Sequence, residues 1–171
     1  MPITASEIEY RLSGGAANTS PDAALGGAMS TAGGGLITSG ALNNLFDNVS
    51  GAEASAGDVE YRGIYIRNTH GSLTWQDVKV WVKTLTSSAG TELDIALADE
   101  GVNVAMETIA DETTAPTGPT FTRPTSKGTG LDAGDIPAGQ FKGVWIRRTI
   151  PAGASATASE SVGLNLAFDS D

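Results

Sequence analysis

The chain has 171 residues, 20 of them acidic and 10 basic, with charged residues at only 18% and glycine at 22 positions. A net charge of −10 excludes a protein that grips phosphate backbones or anionic lipid by counterion release, so neither nucleic acid nor membrane is expected as a partner. The absence of cysteine removes disulfides, thiolate metal cages and thiol nucleophiles, and a single histidine, His70, leaves little acid–base chemistry, so no cofactor and no metal is expected.

No run approaches the roughly 20 apolar residues of a helical membrane span, and residues 1–11 lack the basic and apolar regions of a secretion signal, so the chain reads as soluble and made in the cytoplasm. Ile8-Glu9-Tyr10-Arg11-Leu12 alternates like a short strand. From Ser13 to Gly57, 26 of 45 residues are Gly, Ala or Ser. Such a stretch offers little apolar area and loses much backbone entropy on ordering, so it needs a surface that something else provides. One island interrupts it: Leu42 to Val49 reads as a strand or a single helical turn. Leu, Tyr and Phe are residues that disordered linkers lack. Residues 1–57 are therefore expected to form an extended, surface-bound arm anchored by Tyr10, Arg11, Leu12, Leu42, Leu45 and Phe46.

Past Gly57 the period becomes two. Tyr61–Asn68 places Ile64 and Ile66 opposite Tyr61, Gly63, Tyr65 and Arg67, and Gln76–Thr84 places Val78, Val80 and Val82 opposite Lys79, Trp81 and Lys83. Residues 69–72 connect the two, residues 86–91 turn the chain into Leu93–Leu97, and an irregular stretch carries Pro116, Pro119, Pro124 and Pro137. Gln140–Thr149 and Ser161–Phe168 complete at least five strands, and no segment reads as a helix. Tyr61-Arg-Gly-Ile-Tyr-Ile-Arg-Asn-Thr69 is echoed by Phe141-Lys-Gly-Val-Trp-Ile-Arg-Arg-Thr149. A single echo at such an offset reads as two strands in equivalent environments of one sheet or sandwich. The pattern predicts an all-β fold: an antiparallel β-sandwich over residues 58–171, immunoglobulin-like in size and style, preceded by the arm.

Chemistry is sparse. His70 sits in Asn68-Thr69-His70-Gly71 beside Ser72 and Asp77, but nearness along the chain does not build a triad, and it reads as a turn histidine. Seven acids lie between Glu92 and Glu112 with no Lys or Arg among them; their spacing is not that of a calcium loop, and Asp94 alternates onto the wet face of a strand, so they read as a solvated patch. Gly33-Gly34-Gly35 has no following Lys-Ser/Thr and is not a phosphate loop. Aromatics are the remaining signal. If the Ile64, Val80 and Val144 phase points inward, Tyr65, Trp81 and Trp145 point outward beside Arg147, a composition typical of interfaces and suited to self-association. If both faces are covered, the same rings are core.

Ile8-Glu-Tyr-Arg-Leu-Ser-Gly-Gly-Ala-Ala-Asn18, Leu42-Asn-Asn-Leu-Phe-Asp-Asn-Val-Ser-Gly51, Gly57-Asp-Val-Glu-Tyr-Arg62 and Ile64-Tyr-Ile-Arg-Asn-Thr-His-Gly71 together resemble a family of small structural proteins of tailed bacteriophages. Ile109–Pro116, Gly134–Gly139 and Val144–Thr149 fit the same pattern. The resemblance implies a virion component, a decoration or cement protein on the capsid exterior. It would bind the major capsid protein through the arm and associate with neighbouring copies of itself, the favoured assembly being a trimer. It brings no catalytic residues, so no enzyme is expected. A receptor- or carbohydrate-binding head and a neck or tail adaptor are the competing roles.

Overall fold

The computed structural model describes residues 3–84, 91–155 and 163–170. The turn expected over residues 86–91 lies, apart from Thr91, outside the described residues, as do the first two positions of the last expected strand. Two antiparallel sheets carry the fold. The first has the order β1 (Ile8–Leu12), β3 (Asp58–Asn68), β8 (Phe141–Ile150), β5 (Glu92–Leu97); the second has the order β7 (Leu131–Ile136), β4 (Trp75–Thr84), β9 (Gly163–Ser170). A two-stranded ribbon, β2 (Gly26–Gly27) with β6 (Met106–Thr108), is hydrogen-bonded into neither sheet and lies on the outer face of the first. The molecule is all-β in a sandwich-like arrangement, as its alternating strands predict. The one α-helix among the described residues, α1 (Gly51–Ala56), is not among the elements expected from the sequence; Ser50 and Glu53 close a capping box at its start.

The inward phase of the apolar stripes is as read from the sequence. Ile64 and Ile66 of β3, Val144 and Ile146 of β8 and Ile95 of β5 pack against Val78, Val80 and Val82 of β4, with Trp75 stacked on Phe168 at 4.7 Å between centroids. The other face of the first sheet is also covered. Tyr65 and Trp145, both fully buried, lie with Tyr61, Ala96, Ala98, Met29, Met106 and Ile109 in a second apolar cluster. Its outer layer is irregular backbone from residues 13–30 and 106–121, pinned where the Tyr65 hydroxyl donates to the Gly27 carbonyl and accepts from the Met106 N–H.

Residues 3–57 therefore do not extend as an arm. β1 is an edge strand of the first sheet, paired from Ile8↔Asn68 to Leu12↔Ile64. Beyond it the chain stays on β3: Ser13 N–H donates to the Gly63 carbonyl at 3.1 Å, and Gly63 N–H donates to the Ala24 carbonyl at 2.7 Å. The Gly/Ala/Ser stretch does lie on a surface, and that surface is the chain's own sheet. Small side chains permit the approach: Gly26 has φ 89°, and a Cβ there would fall 1.8 Å from the Glu107 carbonyl oxygen.

The echoed segments are the two central strands. β3 and β8 are antiparallel neighbours with Gly63 opposite Trp145 and Tyr65 opposite Gly143. Both glycines face the layer that covers this sheet: a Cβ at Gly63 would lie 2.5 Å from Met106 Sδ and one at Gly143 2.7 Å from Met106 Cε, and a local two-fold relates the pair. Both outer edges of this sheet are closed by loop backbone: Ile37 N–H donates to the Tyr10 carbonyl, and Ile95 and Thr122 exchange hydrogen bonds at 2.8 and 2.9 Å.

Candidate functional site

The most heavily charged region lies where β3 and β8 run past the end of the apolar core. Glu60 and Arg62 share a face with Ile64 and Ile66, and Arg148 shares it with Ile146, so the alternation that buries the aliphatics buries these charges too. Buried charges must be paired. Arg148 Nε donates to Glu60, while its Nη1 and Nη2 donate to the Asp47 carbonyl at 2.7 Å and to Asp47 Oδ1 at 3.0 Å. Arg62 donates to Glu112 and to the Tyr61 carbonyl and has Asp22 Oδ1 at 3.8 Å. The Phe46 ring covers both cations, its centroid 4.7 Å from the Arg148 guanidinium and 5.5 Å from that of Arg62. Burial pushes the Glu60 carboxyl above the ordinary glutamate value, against the pull of Arg148 and with repulsion from Glu112 and Asp47 added.

Above Arg62 a surface crevice of about 400 Å³ is bordered by Asp22, Leu25, Asp47, Ala110, Asp111 and Glu112. Its rim is acidic. Asp111 is held below the ordinary aspartate value by the hydroxyls of Thr114 and Thr113, so it stays ionised. Behind the crevice, Glu53, Asp58 and Glu60 bring one carboxylate oxygen each within 4.8 Å of one another. Three such oxygens suit a hard cation. Here they already serve the Ser50 N–H, the Val59 N–H and Arg148.

Most of the expected partner-binding residues are structural within the chain. Tyr10, Leu45 and Phe46 pack against the inter-sheet core, Leu12 is buried, and Arg11 is spent on Glu9 and on the Ser30 and Ala32 carbonyls. Leu42 alone of that set stands free, 77% exposed at the tip of the loop 38–49. The expected outward face is corrected as well. Tyr65 and Trp145 are core because a second layer covers them. Arg147 is tied to Asp94 at 2.6 Å and lies 5.1 Å from the Phe121 ring. Trp81, on the outer side of the second sheet, is the only one of the four partly open to solvent without an ion-pair or ring partner among the described residues.

His70 is the turn histidine its context suggests: Nδ1 accepts the Ser72 and Leu73 N–H groups at 3.0 and 2.9 Å. The acidic run is not a free patch. Asp94 is buried between Arg123 and Arg147, Glu100 accepts the Glu107 N–H, and Glu107 accepts the Thr117 N–H. Asp94 misleads because β5 is covered on both faces, so alternation no longer separates wet from dry. The residues that sequence reasoning missed are Asp22, Asp47, Glu60, Arg62, Glu112 and Arg148. A signal was present: Glu60 and Arg62 fall in the same phase as Ile64 and Ile66, which puts charges on the core face. Comparison with family models, curated proteins and solved structures finds no match for this chain.

Proposed function

We propose that this chain is a structural protein of a tailed-bacteriophage virion, a decoration or cement protein that binds the major capsid protein on the outside of the head. The family resemblance supplies the class. The observation that carries a binding role is the loop 38–49. Leu45 and Phe46 fix its base in the core and on two arginines, Arg148 holds Asp47, and the loop presents Leu42 at 77% exposure. A rigidly based loop with an apolar tip loses little entropy when it docks. The acidic rim of Asp22, Asp47, Asp111 and Glu112 beside it suits lysine or arginine on the partner shell.

The mechanism differs from that of a long arm bridging several subunits. A compact body would clamp one site through the loop, and many copies would stabilise the shell together. A carbohydrate-binding head has less support, since Tyr65 and Trp145 are buried and offer sugars no stacking surface. The decisive experiment is imaging of virions together with purified-protein binding to capsids. A decoration protein is expected on the head surface in numbers approaching those of the capsid protein, and Leu42→Ser is expected to weaken capsid binding several-fold with unchanged thermal stability. A few copies confined to the neck or tail would overturn the reading in favour of an adaptor.

A further inference from the structure

The two edges of the three-stranded sheet are built differently. β7 carries exposed Asp132 and Asp135, has Gly134 in a left-handed conformation at φ 69°, and shifts register against β4. Charge and irregularity of this kind keep a further strand from adding. β9 is less defended, its one charge being Asp169 near the end of the strand. From Gly163 to Phe168 it reads Gly-Leu-Asn-Leu-Ala-Phe without charge or proline, and the extra residues at its two register shifts belong to β4. Among the described residues its far edge pairs with no strand and no loop. Its inner side chains Leu164, Leu166 and Phe168 touch the core yet remain only half-buried.

We infer that this edge is the seam of a homodimer, in which β9 pairs antiparallel with β9 of a second copy and joins the two three-stranded sheets into one of six strands. A two-fold axis through Leu166 sets Leu164 opposite Phe168 of the second copy and Leu166 opposite its own counterpart. The half-buried inner residues then cover one another and the two cores become continuous. On the outer side, Asp169 falls opposite Gly163 of the second copy, which itself pairs with Thr84. That sets the exposed Asp169 carboxylate of one copy toward the exposed Lys83 of the other, across two strand spacings of about 4.8 Å each, within reach of a lysine stem. Neither group has a salt-bridge partner among the described residues of its own chain. Two symmetric pairs of this kind offset part of the repulsion between copies that each carry a net charge of −10. The inference concerns the free chain and holds whether or not the chain binds a capsid.

Sedimentation of the full chain from micromolar to millimolar concentration, with hydrogen exchange read at residues 163–170, tests it. The expected result is a monomer–dimer equilibrium in which the β9 amides become protected as the dimer fills. Asp169→Lys should raise the dissociation constant about tenfold, the equivalent of ~1.4 kcal/mol, and Lys83→Glu in the same chain should restore it. The inference is overturned by a chain that stays monomeric throughout, by a trimer, or by a dimer whose β9 amides exchange as fast as the monomer's. A dimer indifferent to both charge changes overturns it too, as does a β9 edge that takes up only a strand of another protein.

Discussion

Gly143 shows how a missing side chain can define a layer. A Cβ at this position would lie 2.7 Å from Met106 Cε and 2.9 Å from Ala98 Cβ, both buried. Replacing a strand glycine by alanine normally stabilises by about 0.4–1 kcal/mol through the unfolded chain. Overpacking a filled core costs about 1–3 kcal/mol. The second effect wins here, so Gly143→Ala is expected to lower the urea midpoint, whereas Gly71→Ala, with no atom within 4 Å of the added methyl, is expected to leave it unchanged or raise it.

Glu60 makes the complementary point for charge. Burial raises its carboxyl above the ordinary value of 4.5, so protonation is favoured in the folded chain relative to the unfolded one. Such a group contributes its full stability below the unfolded value and loses it as pH rises through the folded one. The stability advantage of the wild type over Glu60→Gln should therefore shrink as pH climbs through the window just above 4.5, as measured by urea unfolding at each pH. An advantage that grows across that window would mean that the Arg148 pairing outweighs burial.

At the level of elements, the strands with clean alternation were legible, and the reason is uniform: β3, β4 and β8 each set aliphatics against one shared core. β7 was not legible, because Leu131-Asp-Ala-Gly-Asp-Ile136 holds two acids and a left-handed glycine within six residues. α1 has a faint trace in the sequence, the Ser50 to Glu53 spacing of a capping box. The site was less legible than the fold. Tyr65 and Trp145 look like surface rings until a second layer is known, yet Gly63 and Gly143 in the same phase hint at something lying close above them. The N-terminal stretch has the composition of an arm and the placement of a fold component. Deleting residues 1–12 should consequently expose Ile64, Ile66 and Tyr65 and leave a chain without a cooperative thermal transition, in place of a stable separate domain; calorimetry distinguishes the two.

Over the whole molecule, the pairing of β3 with β8 joins segments about 80 residues apart in sequence. That places the fold among those of high contact order, which close in milliseconds to seconds because loop entropy is lost before distant contacts compensate for it. A ribosome that has released β1 and β3 has released Ile64, Ile66 and Tyr65 with no β8 to cover them. The first half of the chain must wait without its partner strand until residue 150 emerges. Its glycine, alanine and serine content then acquires a second meaning: a long segment that is poor in sticky side chains is safe to keep unfolded during that delay.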